Sequence, residues 1–152
     1  MTGRDEPRAG GSTRRVSVGD DDIAKLNHTG THPVHTDLAI ADAITFHKSI
    51  GIQREEARLR HLQQYWTSRV RGVPNITLHT PSDPRRSCAI ANVGLANLEP
   101  QALAKALLER YRIYTVAIDH ANVHGVRVTP HLYTTTAELD ALVKALKELA
   151  AA

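Results

Sequence analysis

The sequence predicts a single α+β domain, in which a small and mainly antiparallel sheet is covered by helices. Two observations carry this prediction. Segments whose apolar residues recur at helical spacing alternate with short strand-like segments, and a length of 152 residues fits one domain. The predicted order is α-α-β-β-α-β-β-α. Because the strand-like segments are separated by turns and single helices, we expect mainly antiparallel pairing.

The start of the chain differs in composition from the rest. Residues 1–22 are rich in Gly, Arg, Asp and Ser and show no apolar periodicity. Such a composition is typical of a segment that buries too little apolar surface to fold. We therefore expect a disordered lead-in over residues 1–22 and a folded domain over residues 23–152.

Two consecutive helices are predicted next. Over residues 34–48 the apolar residues keep helical spacing, and Pro33 stands where a first-turn proline is tolerated. Gly51 interrupts this pattern, and a second helix is expected over residues 53–70. The apolar stripe of the second helix consists of Leu59, Leu62, Trp66 and Val70. Its charged residues are predicted to face water or a partner: Arg54, Glu55, Glu56, Arg58 and Arg60.

The middle of the chain predicts a pair of strands and a third helix. Strands are expected over residues 76–80 and 88–94, on either side of a turn at residues 81–84. A helix over residues 100–111 follows. One face of that helix carries Leu103, Leu107 and Tyr111.

Two further strands precede the last helix. A β-branched strand is predicted over residues 113–118 and another over residues 125–129. In the last strand, Val126 and Val128 share one face and Arg127 points to the other, because successive side chains alternate.

The last helix has a clear start signal. Thr135 followed by Glu138 predicts a capping box, in which each side chain satisfies a free backbone N–H. A continuous apolar stripe follows, which consists of Leu139, Leu142, Val143, Leu146 and Leu149.

Charge and cysteine content limit the function classes. Lys and Arg outnumber Asp and Glu by 19 to 16 and are spread along the chain, so no nucleic-acid partner is predicted. No apolar run is long enough to span a membrane, so no membrane partner is predicted either. The single cysteine, Cys88, fits a reducing compartment, and we expect a cytoplasmic protein. Since Cys88 begins a predicted apolar strand, we expect its thiol to be buried rather than nucleophilic.

The first candidate site is the segment N-H-T-G-T-H-P, residues 27–33, directly before a predicted helix. Gly30 allows close approach of a ligand to the backbone, and Thr31 offers a hydroxyl and an N–H group. Free N–H groups at a helix start favour an anion such as phosphate. The simpler alternative is that Thr29 or Thr31 merely caps the helix.

The second candidate is Arg127, on the strand G-V-R-V-T. A planar guanidinium that points away from the core is suited to gripping a carboxylate through two parallel hydrogen bonds. The alternative is an ordinary surface arginine in a salt bridge.

The histidines form two groups along the sequence. His28, His32 and His35 invite a metal interpretation, but nothing in the segment makes their rings converge, and no metal ligand is predicted. His120, His124 and His131 lie near Arg127 in sequence, and either line the same cleft or are surface residues.

Three motifs together resemble the C-terminal part of class V aminotransferases, which are fold-type I enzymes that depend on pyridoxal 5'-phosphate (PLP). These are D-D-I-A-K-L-N-H-T-G-T-H-P from residue 21, V-P-N-I-T-L-H-T-P from residue 73, and G-V-R-V-T-P-H-L-Y-T-T-T-A-E-L-D-A-L-V from residue 125. The histidine-rich forms resemble the isopenicillin-N-epimerase-like branch more than the desulfurases. Desulfurases carry a reactive cysteine on the loop ahead of the arginine strand, and no cysteine stands there.

The resemblance implies roles for three residues. Gly30 and Thr31 are expected to contact the PLP phosphate of the other subunit, and Arg127 to bind the α-carboxylate of an amino-acid substrate. It also implies a second chain or homodimer as partner, and a large domain that supplies the Schiff-base lysine. No catalytic residue is predicted within this sequence, because none of its lysines fits a buried, desolvated site: Lys25, Lys48, Lys105, Lys144 and Lys147.

The function implied by the resemblance is therefore partial. We expect a class V aminotransferase-like or epimerase-like protein that contributes phosphate and carboxylate contacts and is inactive alone. The alternative is a non-enzymatic relic or protein-interaction module, which would expose apolar surface along its first two helices.

Overall fold

The computed structural model describes residues 34–152. The chain divides within its first helix, between Asp42 and Ala43, and the fold described below is that of residues 43–152. The predicted lead-in over residues 1–22, and the start of the folded domain at residue 23, lie outside the described residues.

The order of elements is the predicted one. The helices and strands are α1 (Val34–Ile50), α2 (Ile52–Val70), β1 (Ile76–Leu78), β2 (Ala91–Leu95), α3 (Pro100–Tyr111), β3 (Val116–His120), β4 (Val123–Val128) and α4 (Thr136–Ala151). Helix ends fall close to their predicted positions, whereas β2 and β3 both begin three residues later than predicted.

The four strands form one sheet in the order β1-β2-β4-β3, and every pairing within it is antiparallel. This confirms the predicted α+β class. At the centre of the sheet, Asn92 of β2 pairs with Arg127 of β4, which in turn pairs with Val116 of β3. The side-chain alternation predicted for β4 is also confirmed, because Val126 and Val128 are buried and Arg127 is exposed.

A single apolar core lies on one face of this sheet. The core joins one side of β2 and β4 to the apolar stripes of three helices, and Trp66 of α2 is fully buried within it. Interiors of this kind are close-packed, so truncation of a core leucine to alanine typically costs about 2–5 kcal/mol. The stripes predicted for α2, α3 and α4 supply most of the core: Leu62, Trp66, Val70, Leu103, Leu107, Leu139, Leu142, Val143, Leu146 and Leu149.

The opposite side of the sheet is not part of this core. We call it the outer face and define it by Thr77 of β1, Asn92 of β2, Arg127 of β4 and Val116 of β3. Thr77 and Arg127 are exposed, and Asn92 and Val116 are half-buried. The outer face is therefore the surface of the sheet on which Arg127 is presented.

Helix α1 buries none of its 17 residues. Its large apolar side chains are between 49% and 67% exposed: Val34, Leu38, Ile40, Ile44 and Phe46. Apolar residues surround much of this helix rather than forming one stripe, a pattern typical of helices buried on several sides. Among the described residues, the apolar side chains of α1 are therefore not part of the core.

Two predictions about burial are wrong. Cys88 is exposed, because the segment before Ala91 forms a loop and β2 starts only after the cysteine. Arg60 stabilises that loop by donating hydrogen bonds to the carbonyl oxygens of Pro84 and Ser87. Glu55, predicted to face water or a partner, is 6% exposed and accepts a 2.8 Å hydrogen bond from the His47 ring.

Among the residues that the structure describes, no helix combines the length and the apolar character needed to cross a membrane.

Candidate functional site

Arg127 occupies the centre of the outer face. It is held on a strand that has hydrogen-bonded neighbours on both sides, β2 and β3. Its side chain is exposed and makes no hydrogen bond or ion pair with any other residue of the described chain. Among residues 34–152, Arg127 therefore lacks the salt-bridge partner that the simpler alternative requires. A guanidinium with all its donors free is suited to a planar anion such as a carboxylate.

Two glycines bring the strands close together beside Arg127. A Cβ atom on Gly125 would lie 2.3 Å from the carbonyl oxygen of Val93, and one on Gly94 would lie 2.3 Å from that of His124. Neither distance is possible for a real side chain, so both positions require glycine.

Asn92 is the direct cross-strand neighbour of Arg127. The side-chain nitrogen and oxygen of Asn92 are both shielded from solvent, and neither has a hydrogen-bond partner. A Cβ on Gly125 would lie 2.7 Å from Asn92 Oδ1, so the amide lies over Gly125 on the β4 side. Buried polar groups are almost always paired, which makes this amide an exception that needs an explanation.

His79 crosses the sheet surface above Gly94. Its Nε2 atom lies 3.0 Å from the carbonyl oxygen of His124, and a Cβ on Gly94 would lie 3.2 Å from the same nitrogen. The bond requires the tautomer that carries a proton on Nε2. This contact connects the residue that follows β1 to β4, across β2.

The remaining histidines near Arg127 in sequence do not join it. His124 points to the other side of β4, and its Nδ1 lies 2.6 Å from Asp119 Oδ1. His120 is exposed at the end of β3, and His131 stacks on Tyr133 with ring centroids 4.1 Å apart. Of the two alternatives left open by the sequence, the surface position fits these three histidines.

The loop after β4 is held by helix α2. Arg58 Nη2 donates a 3.0 Å hydrogen bond to the carbonyl oxygen of Thr134, and Arg58 Nε lies 3.5 Å from that of Leu132. Thr135 then begins α4 with the predicted capping box. The later half of the loop that follows Arg127 is therefore held by α2 and by the capping box.

The capping box lowers the pKa of the Glu138 carboxyl that belongs to it. The backbone N–H of Thr135, and then its hydroxyl, donate hydrogen bonds to Glu138 and lower the pKa of that carboxyl. Charge-assisted hydrogen bonds favour the ionised form, which also interacts favourably with the helix N-terminus. The Glu138 carboxylate therefore serves as part of the cap of α4.

The other predicted site residues have separate outcomes. Gly30, Thr31, His28 and His32 lie outside the described residues, and His35 is exposed on α1. Within residues 34–152 no cluster of His, Cys, Asp or Glu is placed to hold a metal ion. The four described lysines are exposed on helices, as predicted: Lys48, Lys105, Lys144 and Lys147.

Comparison with known sequences gives the family. The profile of the family described as Aminotransferase class-V matches residues 6–142. This chain belongs to the class V aminotransferase family. The family includes PLP-dependent enzymes of fold-type I, so the resemblance carried by the three sequence motifs is confirmed at the level of the family.

The curated relatives of this class V chain are longer than it is. Isopenicillin N epimerase from Amycolatopsis lactamdurans is 31% identical over 146 residues, which are 95% of this chain and 35% of the epimerase. Isopenicillin N epimerase from Streptomyces clavuligerus is 28% identical over 128 residues, which are 84% of this chain and 32% of the epimerase. The chain thus spans about a third of the length of these relatives.

Solved structures share its fold. Apo cysteine desulfurase from Thermococcus onnurineus NA1 matches with a TM-score of 0.70 and 19% identity, over 80% of this chain and 32% of that one. A cysteine desulfurase from Escherichia coli matches with a TM-score of 0.67 and 19% identity, over 78% of this chain and 31% of that one. At these identities the likeness concerns the fold alone, and it confirms the predicted α+β fold over the matched third of those chains.

Sequence reasoning missed Asn92 and His79. The available signal was weak: Asn92 is the one polar side chain within the apolar segment A-I-A-N-V-G. The sequence gave no signal for His79, because its position depends on Gly94 of β2 and on the carbonyl oxygen of His124 in β4, which only the fold brings near it.

Proposed function

We propose that this chain supplies substrate-binding and phosphate-binding residues to a PLP-dependent site. Arg127 binds the α-carboxylate of an amino acid, and Gly30 and Thr31 contact the phosphate of the cofactor, in trans from a second copy. The observation that carries the proposal is the free, exposed guanidinium of Arg127 at the centre of the outer face.

The carboxylate contact follows from the chemistry of Arg127. Its guanidinium is always charged, and it presents parallel N–H groups that match the two oxygens of a carboxylate. The strand on each side limits movement of its backbone, so binding has to order only the side chain. An exposed arginine whose charge is not already neutralised by a described residue loses no internal ion pair on binding.

The phosphate contact rests on the segment around Gly30 and Thr31. Support comes from the sequence motif and from membership of the family. Backbone N–H groups at a helix start attract anions.

Arg127 fits the part of a PLP site that binds the amino-acid substrate, but the described lysines do not fit covalent attachment of the cofactor. The described lysines are exposed on helices, where an amine keeps its ordinary hydration and is a poor candidate for a Schiff base. We therefore propose that none of these four lysines is the reactive one. PLP, when bound, acts as an electron sink for bonds at the α-carbon of an amino acid. The reaction class is transamination, epimerisation or elimination.

The exposed apolar side chains of helix α1 are evidence for a partner domain or chain. Its apolar side chains are half or more exposed, and a helix with this composition is normally buried. The same observation favours the second candidate, a module that binds a partner without taking part in catalysis. The two candidates differ in Arg127, which only the first requires to bind a ligand.

The experiment that tests the proposal uses N-phosphopyridoxyl-L-alanine, a stable conjugate that carries both the phosphate and the α-carboxylate. We expect saturable binding to the chain by isothermal titration calorimetry. Arg127→Met should weaken it about tenfold or more, because a hydrogen-bonded charge pair is lost. The control is Arg86→Met, which removes an exposed arginine from the loop before β2. Equal affinities for the unaltered chain and Arg127→Met would leave the non-catalytic module as the better account.

A second experiment tests the lysines. The chain is incubated with PLP, reduced with borohydride, and examined by peptide mass spectrometry. We expect no single lysine to be modified in preference to the others. Saturable modification of one lysine at low PLP concentration would contradict the proposal that the reactive lysine lies elsewhere.

A further inference from the structure

Asn92 has a side chain whose position and lack of partners require an explanation. We propose that Asn92 is a second contact for the carboxylate bound by Arg127, donating a hydrogen bond from Nδ2 to the carboxylate. This inference rests on the proposed function of Arg127 and adds a residue that selects for a carboxylate at that site.

The first argument is the type of strand pairing. The backbone N–H of Asn92 donates to Thr80 Oγ1 at 2.9 Å, and its carbonyl oxygen accepts from the N–H of His79 at 3.1 Å. Both backbone groups thus point toward β1, away from Arg127. Asn92 and Arg127 therefore form a non-hydrogen-bonded antiparallel pair, the type in which facing side chains lie closest, with Cα atoms about 4.5 Å apart.

The second argument is the direction of the amide. Asn92 Oδ1 lies where a side chain on Gly125 would be, so the amide is directed over β4. Arg127 is two residues further along the same strand and has its side chain on the same face. A group held by the guanidinium of Arg127 is consequently within reach of the amide after a rotation about the side-chain bonds of Asn92.

The third argument is energetic. Both polar atoms of the Asn92 side chain are shielded and unpaired. Leaving a buried polar group without a partner costs free energy. Since the amide has no hydrogen bond to give up, any rotation toward a ligand gains a bond without losing one. A carboxylate has lone pairs left after a two-bond contact with arginine, and these accept from the amide.

The choice of asparagine also fits a carboxylate site. An aspartate in this position would place a negative charge beside Arg127 and form an ion pair with it. That pair would compete with the ligand and repel its carboxylate. A neutral donor avoids both effects, which makes position 92 a determinant of specificity.

The test compares N-phosphopyridoxyl-L-alanine with its methyl ester, which lacks the negative charge. In the full chain, Asn92→Ala should weaken binding of the acid about tenfold and leave binding of the ester nearly unchanged. Asn92→Asp should abolish the preference for the acid. The matched control, Thr77→Ala, removes a polar side chain from the same outer face on β1 and should change neither affinity. A purely structural role of Asn92 would weaken acid and ester alike, and that result would overturn the inference.

The Arg127→Met variant separates the two proposals. If Arg127→Met weakens binding of the acid and Asn92→Ala does not, the inference about Asn92 fails and the proposed function stands. If Arg127→Met has no effect on binding of the acid, or if the unaltered chain does not bind the conjugate, both fail. Circular dichroism of Asn92→Ala verifies that the variant is folded, and Asn92→Ser provides a second variant if it is not.

Discussion

Arg58 Nη2 donates a 3.0 Å hydrogen bond to the backbone carbonyl oxygen of Thr134, 76 residues further along the chain. This contact joins α2 to the loop between the strand that carries Arg127 and the capped start of α4. An arginine predicted from its spacing to face water or a partner thus stabilises the loop after the candidate site.

We expect Arg58→Met to lower the free energy of unfolding by about 1 kcal/mol, because it removes hydrogen bonds to the loop but keeps most of the apolar stem. Urea denaturation measures the change. Arg54→Met, which removes an exposed arginine one turn earlier on the same helix, is the control and should change stability little. An equal loss in both variants would show that the loop contact contributes nothing specific.

The capping box of α4 predicts a second effect on stability. Thr135→Ala should cost about 1 kcal/mol, because the side chain that accepts from the N–H of Glu138 is lost. Thr135→Ser keeps the hydroxyl and should retain most of the stability. Thr136→Ala, at the next position, is the control, since the hydroxyl of Thr136 has no capping role. Thermal unfolding of the three variants distinguishes loss of the cap from loss of helix propensity.

The same motif predicts a dependence on pH. The pKa of Glu138 is lowered in the folded protein, mainly by the backbone N–H of Thr135. Its contribution to stability is therefore fully present above the ordinary glutamate pKa of about 4.3 and is lost as the pH falls through the lower folded-state pKa. The unaltered chain should be more stable than Glu138→Gln at neutral pH, and the difference should shrink as the solution becomes acidic. A difference that stays constant down to about pH 3 would contradict this assignment.

Gly125 predicts a steric effect beside the site. Gly125→Ala would place a methyl group 2.3 Å from the carbonyl oxygen of Val93, so β2 and β4 would have to separate. We expect a loss of about 1–3 kcal/mol, comparable with overpacking of a core. Chemical denaturation measures this loss. Ala117→Gly on β3, which removes a methyl group from the same sheet, is a comparison for backbone effects alone, and an equally small change in both variants would contradict the close approach.

The sequence predicted the elements well because each has a strong local signal. The stripe of α4 and its Thr135–Glu138 cap determine the helix without reference to the rest of the chain. The alternation of residues in β4 likewise predicted that Arg127 lies on the face opposite to that of Val126 and Val128.

Long-range contacts were less predictable. Cys88 was expected to be buried from a run of small and apolar residues, but the loop before β2 is held by Arg60, 27 residues from Ser87. Glu55 has the sequence environment of a surface residue, yet it is buried and its carboxylate contacts His47. The neighbourhood of Arg127 depends on strand register, so Asn92 was identifiable as its neighbour only from the fold.

The central claim is that Arg127 binds a carboxylate, and its most direct test is the NMR signal of the Arg127 Nε–H group. We expect this signal to shift in a saturable manner when N-phosphopyridoxyl-L-alanine is added, and to move little with the methyl ester. Arg127→Lys identifies the signal by its disappearance. A saturable shift at other residues, with the Arg127 signal unmoved by the acid, would contradict the claim.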